Sequence, residues 1–170
     1  MALLLDLYDK DLLDDEGEPH LIRKADSVFF ERIVGILPVQ IKFLTKEHLI
    51  RSLEVIVKKS LGSDRLFRDH LLLKIERNIL KFNVDQYSRL IKALADKQYV
   101  EDSVLWNEYI FKYIYENEKN QERVLSEDQA RKIWDAYIYL KLKCPSLDVR
   151  EHIAKVETFM AKEEAIAQVA

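Results

Sequence analysis

The sequence predicts an all-α fold: about seven helices, arranged as three helical-hairpin repeats in a short α-solenoid. Three observations predict it. Gly and Pro number only three each in 170 residues, too few for the many tight turns of a sandwich or barrel. Helix-start residues recur ahead of apolar residues at helical spacing. Three of those starts, at Thr45, Asn83 and Ser126, open a similar longer pattern, 38 and then 43 residues apart.

The elements follow in order. Residues 1–25 read as an acidic N-terminal extension and 26–170 as a single helical repeat domain. Asp26 opens "SVFFERIVGIL", which is expected to stop before Pro38. Thr45 opens a helix expected to end at Gly62. Ser63 or Asp64 opens the next, "RLFRDHLLLKIERNILK". Asn83 opens "VDQYSRLIKALADKQ", and Asp102 opens "SVLWNEYIFKYIYENE". Ser126 with Gln129 forms a capping box ahead of a helix that closes at Cys144–Pro145. Ser146 opens "LDVREHIAKVETFMAKEEA". Ser, Thr, Asn and Asp suit these starts because their side-chain oxygens accept from the free N–H groups of the first turn.

Aligning Thr45, Asn83 and Ser126 exposes the repeat. Each follows a large apolar residue (Leu44, Phe82, Leu125). Six residues on stands a base (Arg51, Arg89, Lys132). Eight on stands Leu53, Ile91 or Trp134, and ten on stands Val55, Ala93 or Ala136. "DRLFRDHLLLKI" from 64 lines up with "DSVLWNEYIFKY" from 102, pairing Phe67 with Leu105. A two-helix unit near 40 residues is the period of an α-solenoid, in which each hairpin covers the bare face of the one before. The bland alternative is an irregular bundle whose caps match by chance.

This unit resembles the heptatricopeptide and octotricopeptide repeats, relatives of the pentatricopeptide repeat, over about residues 44–160. The whole plan, with "HLIRKADSVFFERIVGILP" and "YLKLKCPSLDVREHI", is similar to a family of extra small subunits on the catalytic head of mitochondrial ATP synthase in trypanosomes and euglenids. The resemblance implies a non-catalytic structural subunit on the matrix side of the inner membrane, docked on an ATP synthase α subunit. It defines no contact residues.

Charge is uneven. Residues 1–20 hold one Lys and seven acids, residues 21–100 hold 16 bases and 9 acids, and residues 101–170 hold 10 bases and 14 acids. The basic middle could meet an acidic partner, although solvated helix faces carry charge as well. No apolar run reaches the roughly 18 residues of a membrane span. The acidic start is unlike an Arg-rich presequence, so a mitochondrial location implies a presequence outside this chain. One cysteine, Cys144, allows no internal disulfide and fits a reducing compartment.

Enzyme chemistry finds no constellation. His20, His48, His70 and His152 lack zinc-protease spacing. His48 and His70 could meet across a hairpin with Glu47 or Asp69, but solvated histidines are the plainer reading. Cys144 has no His near it in sequence and reads as a helix end. The three glycines stand alone, so no phosphate loop exists. The expectation is no enzyme, no cofactor and no metal.

Binding surfaces remain. Arg51, Arg89 and Lys132 would form a basic stripe in a solenoid. That stripe supports a second reading, a small organellar protein that binds single-stranded RNA. A pI near 5.9 and only three units argue against it. In "LWNEYIFKYIYENE", Trp106, Tyr109 and Tyr113 mark the core face. Phe111 and Tyr115 lie on another face and are candidate anchors for a protein partner. Leu3, Leu4 and Leu7, set among acids, either fold back on the domain or insert in another protein.

Overall fold

The computed structural model describes residues 32, 34–58, 60, 62–113 and 125–167, with side chains described through 158. Among them the chain is all-α, with no strand. They fall into two compact units that divide between Ile75 and Glu76.

The first unit begins with helix α1, residues 34–40, which runs through Pro38 and tightens into a 3-10 turn over Ile41–Phe43. The expected stop before Pro38 does not occur. Val34, Leu37 and Ile41 share one face and are all buried. Each such burial contributes roughly 1.5–3 kcal/mol, which outweighs the one backbone bond a proline removes near a helix end. Helix α2, Lys46–Lys58, starts as expected, with the His48 N–H donating to Thr45 Oγ1 at 3.2 Å. It buries Leu49, Ile50, Leu53 and Ile56. It stops at Lys58 rather than at Gly62. Ser60 (φ 52°) and Gly62 (φ 73°) both take left-handed conformations, the geometry that ends helices. A Cβ on Gly62 would sit 2.8 Å from Leu66 Cδ2 and 2.9 Å from Val34 Cγ1, so the position requires glycine.

Helix α3 covers 64–76. Ser63, not Asp64, is its cap, accepting from the Leu66 N–H at 3.2 Å. Its middle, Phe67–Leu72, is a π turn. It ends at Glu76, short of the expected Lys81, and a separate 3-10 turn follows over Ile79–Lys81.

The second unit holds the rest. Helix α4, Val84–Asp96, carries a full capping box: Asn83 Oδ1 accepts from the Gln86 N–H at 2.8 Å, and Gln86 Oε1 accepts from the Asn83 N–H at 3.2 Å. Helix α5 is described over 103–113. The Asp102 carboxylate caps it, accepting from the Leu105 N–H at 2.9 Å, and Leu105–Ile110 is a second π turn. Helix α6, Glu127–Lys143, has the expected Ser126–Gln129 box. Pro145 sits in a turn closed by the Leu147 N–H donating to Cys144 O at 3.0 Å. The last helix, α7, runs over Arg150–Ala167 rather than from Ser146. Asp148 supplies the local acceptor there, taking the Arg150 N–H at 3.1 Å.

Hydrogen bonds set the directions of these helices. Tyr87, early in α4, reaches Ile110, late in α5; Tyr99, just after α4, reaches Trp106, early in α5. The two helices are therefore antiparallel. Helix α6 packs on both α4 and α7. Lys132 bonds Asp85 at 2.9 Å, and Lys143 lies 3.8 Å from Asp96. Both pairs are 47 residues apart, so α4 and α6 run in the same direction in constant register.

Candidate functional site

The π turn in α5 is where local sequence and packing part company. The Phe111 N–H donates to Trp106 O at 2.8 Å, an i→i+5 bond that inserts one extra residue into the turn. Residues beyond it rotate by about 100° relative to an unbroken helix. Trp106, Ile110, Phe111 and Tyr113 consequently all point inward and are buried. Phe111 is fully covered. It stacks on His152 at 3.8 Å and meets Tyr137 edge-on at 5.8 Å. The expectation that Phe111 anchors an external partner is thus corrected: it belongs to the core of the second unit. Tyr115, Leu3, Leu4 and Leu7 lie outside the described residues.

Around this turn sits a buried hydroxyl relay. Tyr87 Oη donates to Ile110 O at 2.7 Å and lies 2.6 Å from Tyr137 Oη, which therefore donates to it. Tyr113 Oη donates to Phe82 O at 2.8 Å, and its ring stacks on Tyr87 at 4.0 Å. Trp106 Nε1 donates to Tyr99 O at 2.9 Å. Burial, and then Tyr137, push the Tyr87 hydroxyl well above its ordinary pKa, so it stays protonated. Among the described residues no buried side-chain polar atom lacks a partner. Nothing in the cluster is poised to react, and its chemistry is that of a satisfied polar core.

The three bases have different surroundings. Arg51, on α2 of the first unit, lies 3.3 Å from Glu47 one turn back. Arg89 is half-buried on α4. Lys132 clamps α6 to α4, bonding Asp85 at 2.9 Å and Asp128 at 3.2 Å. Those two carboxylates, Asp85 first, raise its pKa and hold its charge. Asp85 stands one turn before Arg89, so the surface around Arg89 and Lys132 is mixed in sign. A second clamp closes the other end of the pair, where Tyr139 Oη donates to Asp96 and Lys143 approaches it. Sequence reasoning missed Asp85, Asp96, Tyr139 and Lys143. The recurrence of acid and base 47 residues apart was the available signal.

Cys144 is buried, its thiol pKa raised by burial and then by Asp96, and Sγ faces Ala95 O at 3.7 Å. It is not an activated nucleophile. His152 has its pKa lowered by burial. Among the described residues no three His, Cys, Asp or Glu side chains converge to hold a metal, so His48 and His70 do not build one with Glu47 or Asp69. A cleft of about 370 Å³ in the first unit is lined by Val34, Pro38, Gly62, Arg65 and His70, among others. Arg65 is held by Asp69 at 3.2 Å, and Ser63 is committed to its cap. No helix among the described residues is long and apolar enough to cross a membrane.

One surface does stand out. Ile36, Val39 and Phe43 are 54, 65 and 70 % exposed, on the face of α1 and its 3-10 turn opposite the buried Val34, Leu37 and Ile41. Their spacing of three and four residues is helical. It was legible in "VGILPVQIKF", but the expected stop at Pro38 hid it. Compared with protein-family models, curated proteins and solved structures, the chain finds no match.

Proposed function

We propose that the chain is a non-catalytic accessory subunit, built of three stacked helical hairpins, that docks on a larger protein assembly. The repeat reading requires equivalent helices to run parallel, and in the second unit α4 and α6, the first helices of consecutive hairpins, do so in constant register. The observation that favours repeats over a simple bundle is the recurrence of the π turns. Phe67–Leu72 and Leu105–Ile110 are separated by 38 residues, the same interval that separates the caps Thr45 and Asn83. The interaction role rests on the sequence resemblance.

The assembly is proposed from the sequence resemblance: the catalytic head of mitochondrial ATP synthase, at its α subunit, on the matrix side. The test is native purification of the tagged chain from cells that express it, with nuclease present. Stoichiometric recovery with ATP synthase subunits is expected. Recovery only as a free monomer overturns the reading. Nuclease-sensitive recovery, with single-strand binding that falls with salt and in Arg51→Ala and Arg89→Ala, would instead support the RNA-binding reading. The engagement of Lys132 with Asp85 and Asp128 disfavours that alternative.

A further inference from the structure

We infer that the stripe Ile36–Val39–Phe43 is the docking site for this chain's own N-terminal segment, residues 1–15. Three large apolar side chains along α1 and its 3-10 turn are more than half exposed. Such a patch marks a contact surface. Its rim is basic. Lys42 lies over the Phe43 ring, 4.9 Å from the centroid, and Lys74 reaches Lys42 O at 3.5 Å. From Arg32 to Lys46 the sequence holds three bases and no acid.

The occupant must be apolar and acidic, and the chain carries such a segment. Residues 1–15 contain six leucines, five aspartates and one lysine. The intervening stretch, 16–31, is 16 residues long and enters the described structure at Arg32, next to the stripe. Fully extended, it reaches about 50 Å, far more than this return requires. A tethered segment also outcompetes a free one, because its effective concentration is on the order of millimolar. The contact is intramolecular, so it holds whether or not the chain docks on an assembly.

The experiment uses the full chain with Leu7 replaced by the photocrosslinker p-benzoylphenylalanine, irradiated at low micromolar concentration and mapped by mass spectrometry. Crosslinks within one chain to peptides carrying Ile36, Val39 or Phe43 are expected. Val39→Asp and Phe43→Asp, which alter exposed side chains and keep the circular dichroism of the parent, are expected to cut the yield about tenfold. Lys42→Glu should cut it a few-fold, and less so at high salt. Three results would each overturn the inference: crosslinks confined to other segments, a yield indifferent to Phe43→Asp, or crosslinks joining two chains. Retention on anionic lipid vesicles that is lost in Phe43→Asp but kept without residues 1–15 would assign the stripe to membranes and also overturn it.

Discussion

Removing the Tyr87 hydroxyl should cost far more than removing the Tyr137 hydroxyl it touches. Tyr87 Oη is the centre of the relay, donating to Ile110 O and accepting from Tyr137 Oη, with all three residues buried. Tyr87→Phe removes the side-chain donor to the Ile110 carbonyl and the acceptor that Tyr87 offers the Tyr137 hydroxyl. Each of these two buried losses costs about 1–2 kcal/mol, for a total of about 2–4 kcal/mol. Tyr137→Phe leaves the Tyr87–Ile110 bond intact and removes one donor to an oxygen that keeps its own bond. Its cost is about 0.5–1.5 kcal/mol. The double variant strands only Ile110 O, so it should cost less than the sum, with a coupling of about 1–2 kcal/mol. Urea denaturation followed by circular dichroism measures all three, provided the slope m is unchanged. The reasoning fails if Tyr137→Phe costs as much as Tyr87→Phe. It fails equally if the two effects add to within about 0.3 kcal/mol.

Three further outcomes are expected. Gly62→Val should destabilise by at least about 2 kcal/mol, from the left-handed backbone and the contacts with Leu66 and Val34, seen as a lower Tm. Asn83→Ala and Ser126→Ala should each cost about 1 kcal/mol in urea titrations, because each deletes one half of a capping box. The Asp148 carboxyl is held at about 2 by the Arg150 guanidinium and backbone N–H, below its ordinary 3.8. A depressed carboxyl stabilises the folded state above its unfolded pKa and loses that contribution as pH falls through the folded one. The stabilisation from this pair should therefore fade between about pH 4 and pH 2. An NMR titration of Asp148 that gives an ordinary carboxylate midpoint would refute it, and Arg150→Gln, which keeps the backbone N–H, should move the midpoint only part of the way back toward 3.8.

Much of the helical framework was legible because helix starts are local events. Thr45, Asn83, Asp102 and Ser126 each satisfy a backbone N–H three residues ahead, and that geometry needs no distant partner. Ends were less legible. Pro38 did not stop α1, and Gly62 lies past the end of α2, because burial of flanking side chains and a left-handed Ser60 decided those boundaries. The candidate site was legible only in pieces. The basic positions Arg51, Arg89 and Lys132 could be named from spacing, but the partners of Lys132 lie on two helices, one of them 47 residues away.

By itself, the sequence determined that this is a helical protein and where most of its helices begin. These follow from short-range hydrogen bonding, apolar periodicity and the rarity of turn residues. Only the tertiary structure decided that Phe111 lies inside, that α4 and α6 run parallel, and that Ile36, Val39 and Phe43 stay outside. The physical reason is the same in each case. A π turn, a helix direction and an uncovered face depend on which distant side chains fill the space beside them. The extra residue in α5 weakens one turn of backbone and is compensated by burying Trp106 and Phe111 together, against Tyr137 and His152 from helices that begin after residue 125.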